Sequence, residues 1–296
     1  MELKRDLLDG LISWKSKRKR KPLILQGARQ VGKTWLLRKF GEVAFDNCVI
    51  VNVDKEPEIR EIFGKTKDPV RIVELISLVK GMPVLPNKTL LIFDEIQDSD
   101  EVLNSLKYFN EDAPEYAVAC AGSLLGVAMR KKHTSFPVGM VDFFTLYPLS
   151  FTEFLHAVDE HLYNIASSWK RGESLPEIIH EQLQEKLKVY LVVGGMPEAV
   201  VDWIETKDMH EVEDTLDNIL RAYPLIFQNM RHLLRLSEFS KCGIVCNVSW
   251  PKIIKNSSIQ RLVRVPVLVN MKLLWTGFAG QDFFIRCIVW RQFVCL

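Results

Sequence analysis

The chain has 296 residues, 48% of them hydrophobic and 26% charged, with a formal net charge of +2. These are globular proportions with room for two domains, and no charge-free apolar run is long enough to span a bilayer. Met1–Asp6 carry no apolar signal core behind them, and six cysteines without metal-type spacing fit a reducing compartment, so the sequence reads as cytoplasmic.

Leu3, Leu7, Leu8, Leu11 and Ile12 recur at helical spacing and predict an N-terminal amphipathic helix that packs on the following domain. Lys15–Lys21 is a basic run. It reads either as a nucleic-acid contact or as a solvated helix end stopped by Pro22, and the second reading is favoured. Pro22–Gln26 is a short apolar strand. Gly27-Ala28-Arg29-Gln30-Val31-Gly32-Lys33-Thr34 follows, and a helical pattern from Lys33 to about Gly41 comes next, with Trp35 in its first turn. Strand, G-x-x-x-x-G-K-[ST] and helix in this order make a phosphate loop. Its glycines let successive N–H groups face phosphate oxygens, and the helix N-terminus adds partial positive charge there. Gly27–Thr34 and Trp35 are predicted to hold ATP, with Lys33 reaching the β- and γ-phosphates and the Thr34 hydroxyl on Mg²⁺.

Cys48–Val53 reads as a second buried strand and residues 69–80 as a helix. Thr89-Leu90-Leu91-Ile92-Phe93-Asp94-Glu95 is a strand that ends in two carboxylates. About sixty residues beyond a phosphate loop, the first acid is expected on Mg²⁺ and Glu95 as the base that polarises the attacking water. Residues 99–111 form a helix with Val102, Leu103, Leu106 and Phe109 inward. Tyr116–Ala121 is a further strand ending at Gly122-Ser123. Ser123 either senses the γ-phosphate or water as a third catalytic residue, or N-caps the next helix; the two are compatible. Arg130-Lys131-Lys132 reads either as charge supplied to a phosphate or to a neighbouring subunit or as a solvated loop, and the second reading is favoured. Val141–Leu146 is the last strand, and Ser150 with Glu153 forms a capping box. This alternation predicts an α/β fold, a mostly parallel sheet covered on both faces, with ligand at the carboxyl ends of the strands where Lys33, Asp94 and Ser123 fall.

From about 156 the pattern is helical: Ile178, Leu183, Leu187, Leu191 and Val192 are taken as one stripe, Gly194–Pro197 as a tight turn, and 198–205 and 208–222 as helices. The six histidines are scattered and suggest no metal set, and Cys242 and Cys246 have no partner pair that would make zinc plausible.

Gly27–Thr34, Leu90–Gln97, Ala121–Gly126, Phe136–Gly139, Tyr147–Leu155 and Gly194–Ala199 together resemble a family of prokaryotic AAA-type ATP-binding proteins with a C-terminal domain of unknown function. The resemblance runs from about residue 4 to 228. It implies an additional-strand P-loop ATPase core, Glu95 as catalytic base, and a helical region with a winged-helix-like part. Met140 departs from it, standing where the family is expected to carry a basic residue.

The tail departs further. Residues 1–229 hold 29 Lys+Arg against 35 Asp+Glu, a balance of −6, whereas residues 230–296 hold 10 against 2, a balance of +8, and four of the six cysteines. One explanation is a basic DNA-binding domain. The favoured one is a frameshift around 225–238. Codons chosen for Trp250–Asn256 read L-A-K-D-N-K-K one base earlier, and Val263–Met271 yields E-G-A-R-A-R-E-Y. Both strings resemble the family's C-terminal domain. The domains are then 1–21 helix and basic linker, 22–155 ATPase, 156–229 helical region, and 230–296 an out-of-frame tail. Low order after 230, uncovered faces on the preceding helices and promiscuous pairing follow.

Three functions compete. The first is a Mg²⁺-dependent ATPase that couples hydrolysis to a conformational change. The second is a nucleotide switch with little turnover that presents a surface to DNA or a protein. The third is a small-molecule kinase, disfavoured because Glu95 suits activation of water and no Arg-rich lid is seen. A homo-oligomer is compatible with each.

Overall fold

The structure, a computed structural model, describes residues 1–122, 139–169 and 175–229, with side chains to 222. Five strands form one wholly parallel sheet: β1 (Leu23–Gly27), β2 (Asn47–Asn52), β3 (Thr89–Asp94), β4 (Ala117–Gly122) and β5 (Asp142–Leu146), in the spatial order β2-β3-β4-β1-β5. The strand after the acidic pair, β4, thus lies between the loop-bearing β1 and the acid-bearing β3, the additional-strand arrangement that the resemblance implied. The central strands are near-continuous apolar runs because both faces are covered: Leu23–Leu25, Leu90–Phe93 and Ala117–Gly122 are buried. The edge strands β2 and β5 alternate more and leave Phe143 exposed.

The helices are α1 (Leu7–Lys15), α2 (Lys33–Ala44), α3 (Pro57–Lys65), α4 (Pro69–Lys80) and α5 (Asp100–Asp112), followed after the sheet by α6 (Phe151–Val158), α7 (Glu160–Ser168), α8 (Glu177–Val193), α9 (Pro197–Thr206) and α10 (Met209–Asn229). Their ends follow local chemistry. Pro57 and Pro69 open α3 and α4, where the missing N–H costs nothing. Asp68 accepts from Val70 N, Ser99 from Val102 N, and Gly81 closes α4 with a left-handed backbone. On α5 the inward residues Val102, Leu103, Leu106 and Phe109 are all buried, as their spacing predicted.

Four cations of the basic run have partners within the chain. Lys15 donates to the Ala44 carbonyl at the end of α2 and lies 4.4 Å from the Phe45 ring centroid. Lys17 pairs with Asp142 at 3.4 Å, Arg20 donates to the Pro114 and Glu115 carbonyls, and Lys21 donates to Gly139 O at 2.5 Å. These cations tie the linker to the pole where β4 and β5 begin, opposite the phosphate loop. Trp14, absent from the expected apolar set, is the residue of α1 that packs edge-on against Phe40 of α2, while Ile12 is partly exposed.

Helices α6 to α10 gather a second core. Through residue 212 it contains Leu3, Leu149, Phe154, Tyr190, Val193, Ala199, Val200 and Val212. Here one expectation fails. Ile178 is 63% exposed and Val192 41%, and Leu191 is also exposed, whereas Tyr190 and Val193 are buried and Leu187 packs beside them. At roughly 100° per residue, Val192 falls about 140° round the helix from Leu187, so the five residues were never one stripe. The inward face runs Leu187, Tyr190, Val193. The Ser150–Glu153 capping box forms with both bonds, Glu153 N to Ser150 Oγ and Ser150 N to Glu153 Oε2. Met140 takes a contact from the Asn110 amide at 3.2 Å. Ser123, residues 130–132 and the tail from 230 lie outside the described residues. Among the described residues no helix is long and apolar enough to cross a membrane.

Candidate functional site

The loop between β1 and α2 needs its two glycines for different reasons. At Gly27 a Cβ would collide with the Leu146 carbonyl of β5 and stand 3.3 Å from Val31 Cγ2, so the close approach of the last strand excludes a side chain. Gly32 has φ +88°, a left-handed backbone at the N-cap of α2 that side-chain-bearing residues adopt only with strain. Gln30 also has positive φ, 62°. The loop therefore turns back on itself and delivers Lys33 into the first turn of α2.

Lys33 is buried, and its ammonium donates to the carbonyls of Gly27 at 3.1 Å and Ala28 at 2.6 Å. Burial lowers its pKa to about 8, against the pull of Glu95 and Asp94, which favours the cation. One residue on, the Thr34 hydroxyl donates to Asp94 Oδ2 at 3.0 Å. The other oxygen of Asp94 accepts from Glu95 N at 3.1 Å, so the carboxylate is held at both ends. Burial raises the Asp94 pKa and the Thr34 bond opposes that rise. The parallel order brings residues 60 apart in sequence together at the carboxyl ends of β1 and β3.

Glu95 sits immediately beyond β3 with a left-handed backbone, φ 53° and ψ 45°. Such a conformation is uncommon for a non-glycine residue and clusters at functional positions. Its carboxylate accepts from the Gln97 amide at 2.5 Å, and the same amide donates to Asp98 at 3.0 Å. Gln97 was not singled out from the sequence. The short 3-10 turn Ile96–Asp98 that folds it back leaves no periodic signal.

Lys33, Thr34, Asp94 and Glu95 are therefore brought together, with Gly27 to Trp35 forming the loop and the helix start. β4 ends at Gly122, one residue before Ser123, whose own position lies outside the described residues. Trp35 points outward from α2 and lines a cleft of about 250 Å³ with Leu3, Lys4, Leu8, Lys39 and His156. A hydroxyl and a carboxylate oxygen converging beside a buried ammonium are hard oxygen donors of the type Mg²⁺ takes, one or two protein oxygens with the rest left to water and phosphate. The residues present fit that ion.

Residues 19–155, a little under half of the chain, match a family model described as AAA domain. No curated protein matches the chain. Among solved structures it is similar to a signal transduction ATPase with numerous domains and a tetratricopeptide repeat sensor from Pyrococcus horikoshii, at 16% identity and TM-score 0.42, covering 73% of this chain and 33% of that one. The chain thus spans about a third of that protein's length. It is also similar to C. elegans PCH-2, at 13% identity and TM-score 0.35, covering 71% of this chain and 68% of that one. A third similarity is to the Aeropyrum pernix ORC2 protein in its ADP form, at 14% identity and TM-score 0.37, covering 72% and 70%. The family match falls on the segment that carries the phosphate loop and the acidic strand, and that segment is similar to AAA domains.

Proposed function

We propose that the chain binds Mg²⁺-ATP at this loop and hydrolyses it, coupling turnover to a change in its helical region. The observation that carries the reading is the Thr34–Asp94 contact at 3.0 Å beside the buried Lys33 ammonium. In this reading Lys33 exchanges its two carbonyl bonds for β- and γ-phosphate oxygens, while loop N–H groups from Ala28 to Thr34 orient the remaining oxygens. Bound with the nucleotide, Mg²⁺ supplies neutralisation of the phosphate charge, and Thr34 and Asp94 are the residues that hold it. Glu95 accepts a proton from the attacking water, and Ser123 is proposed to face the γ-phosphate. Trp35 and the cleft beside it offer a wall to the base. Residues 22–155 are the ATPase unit and 156–229 the helical output. The tail 230–296 is a frameshifted sequence in place of the C-terminal domain. DNA, a protein or a second copy of the chain are the partners such an output would take. The free thiols of Cys48 and Cys120 suit a cytoplasmic setting.

Turnover of the wild type and of Glu95→Gln is the test. The variant is expected to bind ATP and to lose turnover by about a hundredfold or more, the range of a positioned general base. Turnover that survives the substitution removes Glu95 from the chemistry.

A second reading, a nucleotide switch with little turnover, is favoured by one contact. The Gln97 amide donates to one oxygen of the Glu95 carboxylate, and a hydrogen bond to the charged form makes it a weaker proton acceptor. Absence of any Glu95-dependent hydrolysis, alone or with DNA, selects this reading.

A further inference from the structure

Arg5 lies before α1, yet it is only 5% exposed. Its guanidinium makes three bonds to three separate parts of the chain. Nη1 donates to the Val31 carbonyl in the phosphate loop at 2.9 Å. Nη2 donates to the Tyr147 carbonyl just beyond β5 at 2.5 Å. Nε pairs with Glu153 Oε1 at 3.1 Å. Glu153 is 7% exposed and is itself filled: the same oxygen accepts from Asp6 N at 2.8 Å, and Oε2 accepts from Ser150 N at 2.9 Å, closing the cap of α6.

The geometry points to Arg5 as a positioning residue for the phosphate loop and as the tie between that loop and α6, the first helix after the sheet. This rests on the nucleotide-binding reading of the loop. Arg5 does not touch phosphate; it acts through Val31. A trans peptide holds its C=O and N–H in one plane, pointing in opposite directions. Fixing the Val31 carbonyl toward Arg5 therefore fixes the Gly32 N–H in the opposite direction. Gly32 has the left-handed φ of +88°, and glycine on its own has no preference that would keep that plane from turning over. The clamp supplies the preference. Lysine cannot replace it: one flexible ammonium does not present the planar fork that serves a carboxylate and two carbonyls at once. Because the other donors of the same rigid group hold Tyr147 and the capping Glu153, a displacement of the loop is felt at the start of α6.

The test uses the full chain with Arg5→Lys and Arg5→Met, and Tyr190→Phe as a control that loosens the second core without touching the loop. Two readouts are taken below the unfolding temperature of each variant. One is hydrogen exchange of the 27–35 segment without nucleotide. The other is affinity for a fluorescent ATP analogue with Mg²⁺. Both Arg5 variants are expected to exchange 27–35 faster and to bind the analogue about tenfold more weakly, the cost of a small misplacement of binding groups. Tyr190→Phe should lower the unfolding temperature and leave both readouts unchanged. If Arg5→Met does not fold, Arg5→Lys decides. Unchanged exchange of 27–35 overturns the proposal, as does faster exchange with unaltered affinity or an equal effect from Tyr190→Phe. A wild type that fails to bind the analogue defeats the nucleotide reading instead, and the exchange measurement still judges the clamp.

Discussion

Replacing Gly195 by alanine puts a methyl group where the backbone of Leu149 already stands. The new Cβ would collide with the Leu149 carbonyl oxygen and lie 3.0 Å from its nitrogen and 3.1 Å from Pro148 Cβ. Backbone and proline cannot step aside as a flexible side chain would, so the contact must open. Two bonds converge on that point: Leu149 N donates to Gly195 O at 2.6 Å, and the buried Tyr190 hydroxyl donates to Leu149 O at 2.8 Å. Overpacking of a well-filled core costs about 1–3 kcal/mol, and each weakened bond adds about 1 kcal/mol. The sum is about 3–5 kcal/mol, which lowers the thermal midpoint by on the order of 10 °C for a domain of this size. Far-UV circular dichroism during heating measures it. Gly64 in α3 is the internal comparison: nothing stands within 4 Å of its added Cβ, and its φ is not left-handed. Gly64→Ala is expected to stabilise by about 0.5–1 kcal/mol, the helix preference of alanine over glycine. A midpoint shift of Gly195→Ala below about 2 °C, or the same sign for both substitutions, refutes the reasoning.

The remaining predictions concern the site, the thiols and the tail. Gln97→Ala frees the Glu95 carboxylate and is expected to raise basal ATP turnover severalfold at unchanged nucleotide affinity; a fall like that of Glu95→Gln would mean that Gln97 aims the base rather than restrains it. Trp35→Phe is expected to remove most of the change in tryptophan fluorescence on adding Mg²⁺-ATP; an undiminished signal places the nucleotide away from the cleft. Burial raises the Cys48 pKa from 9.0 to about 11 and raises that of Cys120 further. The folded state then binds protons that the unfolded chain releases, so this contribution to stability is full below pH 9 and declines as pH rises through about 11. Mass mapping after alkylation at pH 8 should find both thiols unmodified until denaturant is added. The gene's nucleotide sequence is expected to carry a family-like alternate frame downstream of codon 225; its absence ends the frameshift explanation.

What could be read in advance was whatever chemistry stays local in the chain. The phosphate loop, the acid pair after four apolar residues, the proline-opened helix at 69 and the Ser150–Glu153 cap each lie within about eight residues, and each is found where its spacing put it. The contact between Thr34 and Asp94 was legible only because the motif order specifies which strands neighbour each other. Arg5, Gln97 and Trp14 were not legible as site or core residues. Arg5 is one charge among several of both signs before α1 until Glu153 arrives beside it. Gln97 acts through a three-residue turn with no period. Trp14 was overlooked in favour of Ile12, because hydropathy ranks a branched aliphatic above an indole whose N–H donates to Lys21 O at 3.1 Å. The misread stripe on α8 has the opposite origin, since an abundance of apolar residues was mistaken for a face.

The Arg5–Glu153 pair also sets an order of events in the ribosome's direction. Its partners are separated by 148 residues, so this tie cannot close until the whole sheet and the first turn of α6 have left the tunnel. At about 5–20 residues per second that interval is roughly seven to thirty seconds. In a parallel sheet whose contacts are already remote in sequence, closing so long a span comes late. The segment before α1 is therefore a latch on the phosphate loop that can close only after α6 has been made.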